Sequence, residues 1–301
     1  MNMNDANIII DTPRFNLDTC SLLVDFNAPT WTARKLDKST TAEVQHAKQA
    51  KAKGAARVNK HLLAGTTELD DIQSFVQKVR GYVTGNTLPW ADRGTRLLPT
   101  ARFLEFDEQM KLYENEFVLK VNEFIQIYPS LITAQAMALG QMFNRAEFPD
   151  VQEVARKFDF RVTYMPLPTA GDFRVDVGVA AQEELKTKLN QVYEKRINAA
   201  IDEVRERLTE SVSHLAEQLT VEYEGRKAKP RRFYESTLET AKNLCAIVPA
   251  LNITNDPKVE AVRAELERII GGISADVVRD DLPAREELKR EMDDLVSRLD
   301  F

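Results

Sequence analysis

Cysteine and histidine are scarce in this chain, at two and three of 301 residues. Two thiols, Cys20 and Cys245, cannot make a disulfide framework and read as buried thiols of a reducing cytoplasm. The histidines, His46, His61 and His214, stand apart, and no HExxH, CxxC or EF-hand spacing occurs. The expectation is therefore no metal and no cofactor. Glycine is also sparse, at 11 residues, with no GxxxxGK[ST] and no GxGxxG. Gly271-Gly272 reads as a helix terminator. No GxSxG occurs and no Cys–His pairing stands out. Asp70-Asp71 and Asp280-Asp281 precede helices, where acids complement the helix dipole. No apolar run reaches the 18 or so residues of a membrane span. The opening stretch, MNMNDANIIIDTPRF, lacks a basic start and a long apolar core, so it is not read as a secretory signal. These absences argue against an enzyme and for a cytoplasmic location.

What remains is of average composition, with 43% apolar and 29% charged residues. The net charge of −6 conceals segregation. Between Arg34 and His61, eight Lys and Arg residues face two acids. A second basic cluster, Arg226, Lys227, Lys229, Arg231 and Arg232, contains no acid, whereas the C-terminal stretch from Asp276 is acidic.

The pattern predicts an α+β fold, predominantly helical. Ser21 to Phe26 reads as a buried strand, with Ile8-Ile9-Ile10 as another. Phe160–Tyr164 and Phe173–Val177 read as a hairpin joined by a proline-rich turn. Together they predict a small antiparallel sheet interrupted by a helical insertion of about 130 residues. Thr40 with Glu43 predicts a capped helix from about Thr41 to Leu63. Leu69 to Val79 gives a second helix, closed by Gly81 and Gly85. Asn86 to Thr100 reads as loop. Phe106, Met110, Tyr113, Phe117, Val121, Phe124 and Tyr128 form a core stripe that Pro129 is expected to break. The apolar run from Leu131 to Phe143 reads as a central buried helix.

One unbroken helix is predicted from Ala181 to Glu224. At 1.5 Å per residue it is about 66 Å long, whereas a compact chain of this size is roughly 50 Å across. It should therefore project, with its return helix from Arg231 to Val248 covering only about 25 Å of it. Ile197, Ile201, Val204, Leu208, Val212, Leu215 and Leu219 form a stripe close to the α period, available to a second copy or a partner. The expected domains are a mixed sheet and helical body, 1–180, and a helical region, 181–301.

Two constellations read as contact sites. The first is cationic: Arg34, Lys35, Lys48, Lys51, Lys53 and Arg57, with Arg226, Lys227, Lys229, Arg231, Arg232, Phe233 and Tyr234. Cations beside aromatics suit single-stranded nucleic acid, through phosphate neutralisation and base stacking. The second is a pair of loops, 87–99 and 164–177, where Trp90, Arg93 and Arg96 suit a binding surface. The bland alternatives are a solvated basic face and a plug between sheet and helices.

Those loops, together with Trp31-Thr32-Ala33-Arg34-Lys35, resemble an uncharacterised family of bacteriophage and mobile-element proteins. Some members are encoded near MoxR-type ATPases or recombination genes. The resemblance covers roughly residues 20–180. It implies a phage or plasmid setting and a cytoplasmic location, and it raises a role as accessory subunit of a MoxR-type ATPase. The leading expectation is a non-enzymatic assembly or interaction protein, homo-oligomeric, acting through the long helical arm. The alternative is a single-stranded nucleic-acid binding or annealing protein.

Overall fold

The computed structural model describes residues 20–52, 54–91, 94–168, 179–225 and 227–299. In chain order the elements are β1 (Ser21–Asn27), β2 (Arg34–Leu36), α1 (Lys38–Ala47), β3 (Asn59–His61), α2 (Glu68–Asn86), β4 (Leu88–Pro89), β5 (Arg96–Pro99), α3 (Phe103–Ala138), α4 (Val151–Ala155), β6 (Arg161–Pro166), α5 (Val179–Gln218), β7 (Val221–Glu224), β8 (Lys227–Pro230), α6 (Glu235–Leu251), α7 (Pro257–Ile270), α8 (Ala275–Asp280) and α9 (Leu282–Ser297). The fold is α+β and predominantly helical, with one four-stranded sheet in the order β4-β5-β1-β6 and two small strand pairs. The expected strand at Ile8–Ile10 and the second hairpin strand, Phe173–Val177, lie outside the described residues.

Two compact units emerge, both discontinuous in sequence: Met1–Val24 with Gly85–Leu104 and Tyr164–Phe301, and Asp25–Thr84 with Glu105–Thr163. This differs from a cut at residue 180. The cause is strand pairing. β1 pairs antiparallel with β5, Ser21 opposite Pro99 and Leu23 opposite Leu97, which ties the opening strand to the loop segment and the long helix. The segment expected as loop thus supplies two strands, with Leu88 opposite Leu97.

In the first unit, Leu23, Leu88, Trp90 and Leu97 share one core with Val204, Leu208, Val212, Leu215 and Leu219 of α5 and with apolar residues of α6, α7 and α9. Burying this much aliphatic surface is the main stabilising term, about 1.5–3 kcal/mol for each large side chain. α5 has 40 residues, so about 60 Å. It ends at Gln218 rather than Glu224. Val221-Glu222-Tyr223-Glu224 suits a strand and pairs antiparallel with Lys227–Pro230. Gly225 makes the connection possible, with φ of +67° that other residues rarely adopt. The return helix begins at Glu235 rather than Arg231.

The second unit centres on α2 and α3. Leu69, Ile72, Phe75, Val76, Val79 and Val83 of α2 are buried, and the stripe runs through Gly81 without stopping. α3 continues through Pro129 to Ala138. A proline inside a helix costs about 3 kcal/mol or more, and tertiary contacts outweigh it. Tyr128, fully buried, donates its hydroxyl to the Pro149 carbonyl at 3.0 Å. One and two turns on, Ile132 and Gln135 are also buried, with Gln135 donating to the Ala64 carbonyl at 3.0 Å. The rest of the final turns is exposed, Met137 at 90%, so the expected central buried helix is instead a solvated helix end. Trp31 packs edge-on to Tyr128, with ring centroids 5.6 Å apart. Phe160 sits 5.0 Å from Phe26 and 5.5 Å from Phe117.

The basic segment 34–61 is not the expected helix to Leu63. α1 spans Lys38–Ala47, and its N-cap is Asp37, not Thr40. Asp37 Oδ1 accepts from the Thr40 amide at 3.0 Å and the Ser39 hydroxyl at 2.9 Å. These bonds, the backbone one foremost, hold its carboxyl below the usual range. α1 buries no side chain, so nothing extends the helix once its Ala/Lys-rich face runs out. The chain returns as β3, with Arg34 opposite His61 and Leu36 opposite Asn59.

Candidate functional site

Most of the expected partner stripe on α5 is occupied by the chain itself. Val204, Leu208, Val212, Leu215 and Leu219 are at most 1% exposed. Three helices, α6, α7 and α9, pack on α5 rather than one return helix. Only the earlier half stays open. Ile197 and Ile201 are half-buried, Leu189 likewise, while Leu185 is 37% and Val192 40% exposed. The core stripe drifts round the helix because its step exceeds 3.6 residues. Extrapolated backward, it passes through Ala200, Ile197, Tyr193, Leu189 and Leu185, with Val192 exposed beside it. The open patch therefore continues the buried stripe.

Trp90 is no contact residue. It is 4% exposed, its ring 5.4 Å from that of Tyr193, with the Arg196 guanidinium 5.4 Å above it. The Tyr193 hydroxyl donates to the Pro168 carbonyl, which closes this corner. Arg96 is half-buried and donates to the Thr87 hydroxyl at 2.6 Å and the Thr87 carbonyl at 3.1 Å. Arg207 reaches the same carbonyl at 3.0 Å and Glu203 at 2.8 Å. Burial first, and the charge of Arg207 second, push the Arg96 guanidinium below its usual value. Arg96 is thus a strut within the unit. Arg93 lies outside the described residues, as do Lys53 and Arg226.

Arg34, Lys35, Lys48, Lys51 and Arg57 are exposed. Strands β2 and β3 hold them around α1, and among the described residues no carboxylate pairs with any of them. Lys60 differs. It is buried, donates to the Met142 carbonyl at 2.7 Å and pairs with Glu147 at 2.5 Å.

At the start of α6 the expected quartet divides. Phe233 is 3% exposed and belongs to the core. Arg231 pairs with Glu217 at 2.8 Å, and Lys229 with Glu224 at 3.5 Å. Lys227 is exposed. Arg232 lies 5.1 Å over the ring of Tyr234, itself half exposed, and has no carboxylate partner among the described residues. Two arginines that spacing did not bring together with these, Arg279 and Arg285, line the same cavity of about 380 Å³. Arg279 donates to the Phe233 carbonyl at 3.0 Å and pairs with Asp276 at 2.8 Å. Arg285 is 2% exposed, and its guanidinium donates to the carbonyls of Leu219 at 3.0 Å, Gln218 at 2.7 Å and Arg231 at 2.7 Å. It caps the C-terminal end of α5, where a cation opposes the negative end of the helix dipole. In the sequence its signal is weak: an arginine stands where the i, i+3, i+4 pattern puts core residues before Leu288 and Met292.

A second, larger groove of about 610 Å³ runs between α5 and α6, past His214, Thr240 and Ile247. Ser211, Ser236 and His214 line it, and among the described residues no hydrogen bond joins a hydroxyl to the imidazole. Among the described residues no three His, Cys, Asp or Glu side chains gather as metal ligands would, and no helix is long and apolar enough to cross a membrane. Cys245 is buried, and burial pushes its thiol up to about 11, so it is unreactive near neutrality. In comparisons with known proteins, the chain matches no family model, no curated protein and no solved structure.

Proposed function

We propose that this chain is a non-enzymatic interaction protein of phage type that associates with a second copy of itself through the earlier half of α5. The observation that carries this reading is the continuation of the core stripe onto Leu189 and Leu185, with Val192 beside them, beyond the reach of its own covering helices. A second copy brings the same open apolar patch, so an antiparallel pair centred on Leu189 covers both at once, as a two-fold interface requires; in that register Glu183 faces Lys195 while Glu184 faces Glu194, so apolar burial rather than charge carries the pairing. The patch is about 24 Å long from Leu185 to Ile201, small for an obligate dimer, which suggests a reversible one. Light scattering on a sizing column tests it. A species of twice the chain mass, converted to monomer by Leu189→Glu with Val192→Glu, is expected. A wild-type monomer at every concentration would sink the proposal.

A second reading, single-stranded nucleic-acid binding, draws support from Arg34, Lys35, Lys48, Lys51 and Arg57, exposed cations that pair with no carboxylate among the described residues. Its test is retention of a 40-nucleotide strand at low salt, with a slope against salt that falls when Arg34, Lys35 and Lys48 become Glu. No retention at low salt removes it. The role beside a MoxR-type ATPase rests on the resemblance alone.

A further inference from the structure

We propose that the cavity bounded by Arg231, Arg232, Tyr234, Arg279 and Arg285 is a binding site for a dianionic phosphate monoester. The lining holds four guanidinium groups and no carboxylate. Glu217 at 2.8 Å and Glu222 at 3.9 Å offset Arg231, and Asp276 offsets Arg279. Arg232 and Arg285 have no carboxylate partner among the described residues, so two guanidinium groups are left without a counter-charge of their own. Arg285 cannot relieve its share by turning to solvent, because it is 2% exposed and held by the carbonyls of Leu219, Gln218, Arg231 and Val278. Carbonyl dipoles satisfy its donors but do not cancel its charge, and burial lowers the affinity of this group for its proton. A fixed cation set back in a low-dielectric wall, with a movable one at the rim, suits an anion seated between them.

Two further features point to oxyanions. α6 starts at Tyr234 with no side-chain cap on its first amides, so the positive end of a 17-residue helix lies at the cavity edge. Glu235 in that first turn is exposed and is not part of the lining. The Tyr234 ring, half exposed and stacked on Arg232, holds that guanidinium at the rim and offers a hydroxyl donor. A volume of about 380 Å³ exceeds a bare phosphate and admits a small group esterified to it. Two guanidinium groups without a carboxylate partner match a monoester, which carries close to two negative charges near neutrality, better than a diester with one.

The test is calorimetric titration of the full chain at pH 7.5 and fixed ionic strength with glycerol phosphate, inorganic phosphate and dimethyl phosphate. Saturable one-to-one binding of the first two is expected, with at least tenfold weaker binding of the diester. Arg232→Ala, an exposed position whose replacement leaves the core intact, is expected to weaken the monoester at least tenfold. In the wild type, affinity should fall by a similar factor at pH 5, as the monoester loses its second charge. Absence of saturable binding, equal binding of the diester, or unchanged affinity in Arg232→Ala would each overturn the proposal.

Discussion

Replacing Arg285 by methionine tests how the end of the long helix is held. The side chain is 2% exposed, so its hydrogen bonds compete poorly with water. Methionine fills a similar volume but leaves the carbonyls of Leu219, Gln218 and Arg231, and more distantly that of Val278 at 3.5 Å, without this donor. Leu219 is fully buried, so its carbonyl bears the full penalty of an orphaned acceptor, about 1–3 kcal/mol. Gln218 is half-buried and Arg231 exposed, so water reaches those two and each costs less, about 0.5–1 kcal/mol. Loss of a cation at the helix C-terminus adds about 0.3–1 kcal/mol. Relief from burying an unpaired guanidinium acts in the opposite direction. The net is a destabilisation of about 3 kcal/mol. Lysine in its place recovers little, because a point charge cannot serve divergent carbonyls. The assay is urea unfolding followed by circular dichroism, with Arg268→Met, 58% exposed at its side chain, as a control expected to cost far less. If Arg285→Met is as stable as the wild type within about 0.5 kcal/mol, the guanidinium is not what terminates and anchors α5.

Leu208→Ala is expected to cost about 2–5 kcal/mol in the same assay, and Leu185→Ala less than about 0.5 kcal/mol, since only the former leaves a cavity; equal costs would contradict the division of the stripe into covered and open halves. The Cys245 thiol, raised from 9.0 to about 11, favours the folded state as long as both states keep their proton. Stability should therefore decline as pH rises from about 9 to about 11, by up to roughly 2 kcal/mol, and Cys245→Ala should lack that part of the decline. Asp37 is the opposite case. Its lowered folded pKa contributes stability above the ordinary carboxylate value, lost as pH falls through the folded value. Amide exchange at Thr40 should accelerate at that point, and Asp37→Asn, which retains an acceptor, should remove the pH step.

Sequence periodicity located the elements whose apolar stripes are long: α2, α3 and α5. It failed where a few residues decide between neighbouring structures. Leu88-Pro89 and Arg96–Pro99 are too short to show alternation, and they become strands because β1 offers an edge to Arg96–Pro99, which in turn pairs with Leu88-Pro89. Pro129 looks like a breaker until Tyr128, Ile132 and Gln135 are seen anchoring both sides of it. Val221–Glu224 is equally compatible with helix and strand. Its partner across Gly225 decides. The candidate site was half legible. Arg232 and Tyr234 stood out as an adjacent cation and aromatic. Arg279 and Arg285 did not, because they lie some 50 residues away among charges that read as an ordinary helix surface, and only the packing of α8 and α9 brings them to the cavity.

The interleaving of the two units also sets an order of events during synthesis. Every part of the Asp25–Thr84 and Glu105–Thr163 unit has been made by residue 163. The other unit needs Leu295 of α9 to complete the core around Leu23, Leu97 and α5. At ribosomal rates of about 5–20 residues per second, the roughly 130 residues between take on the order of 7–27 seconds. Over that interval β1 and β5 have no finished core to join, and the apolar face of α5 emerges uncovered. The same stripe that α6, α7 and α9 later close is then a target for chaperones, and for a neighbouring nascent chain on the same messenger.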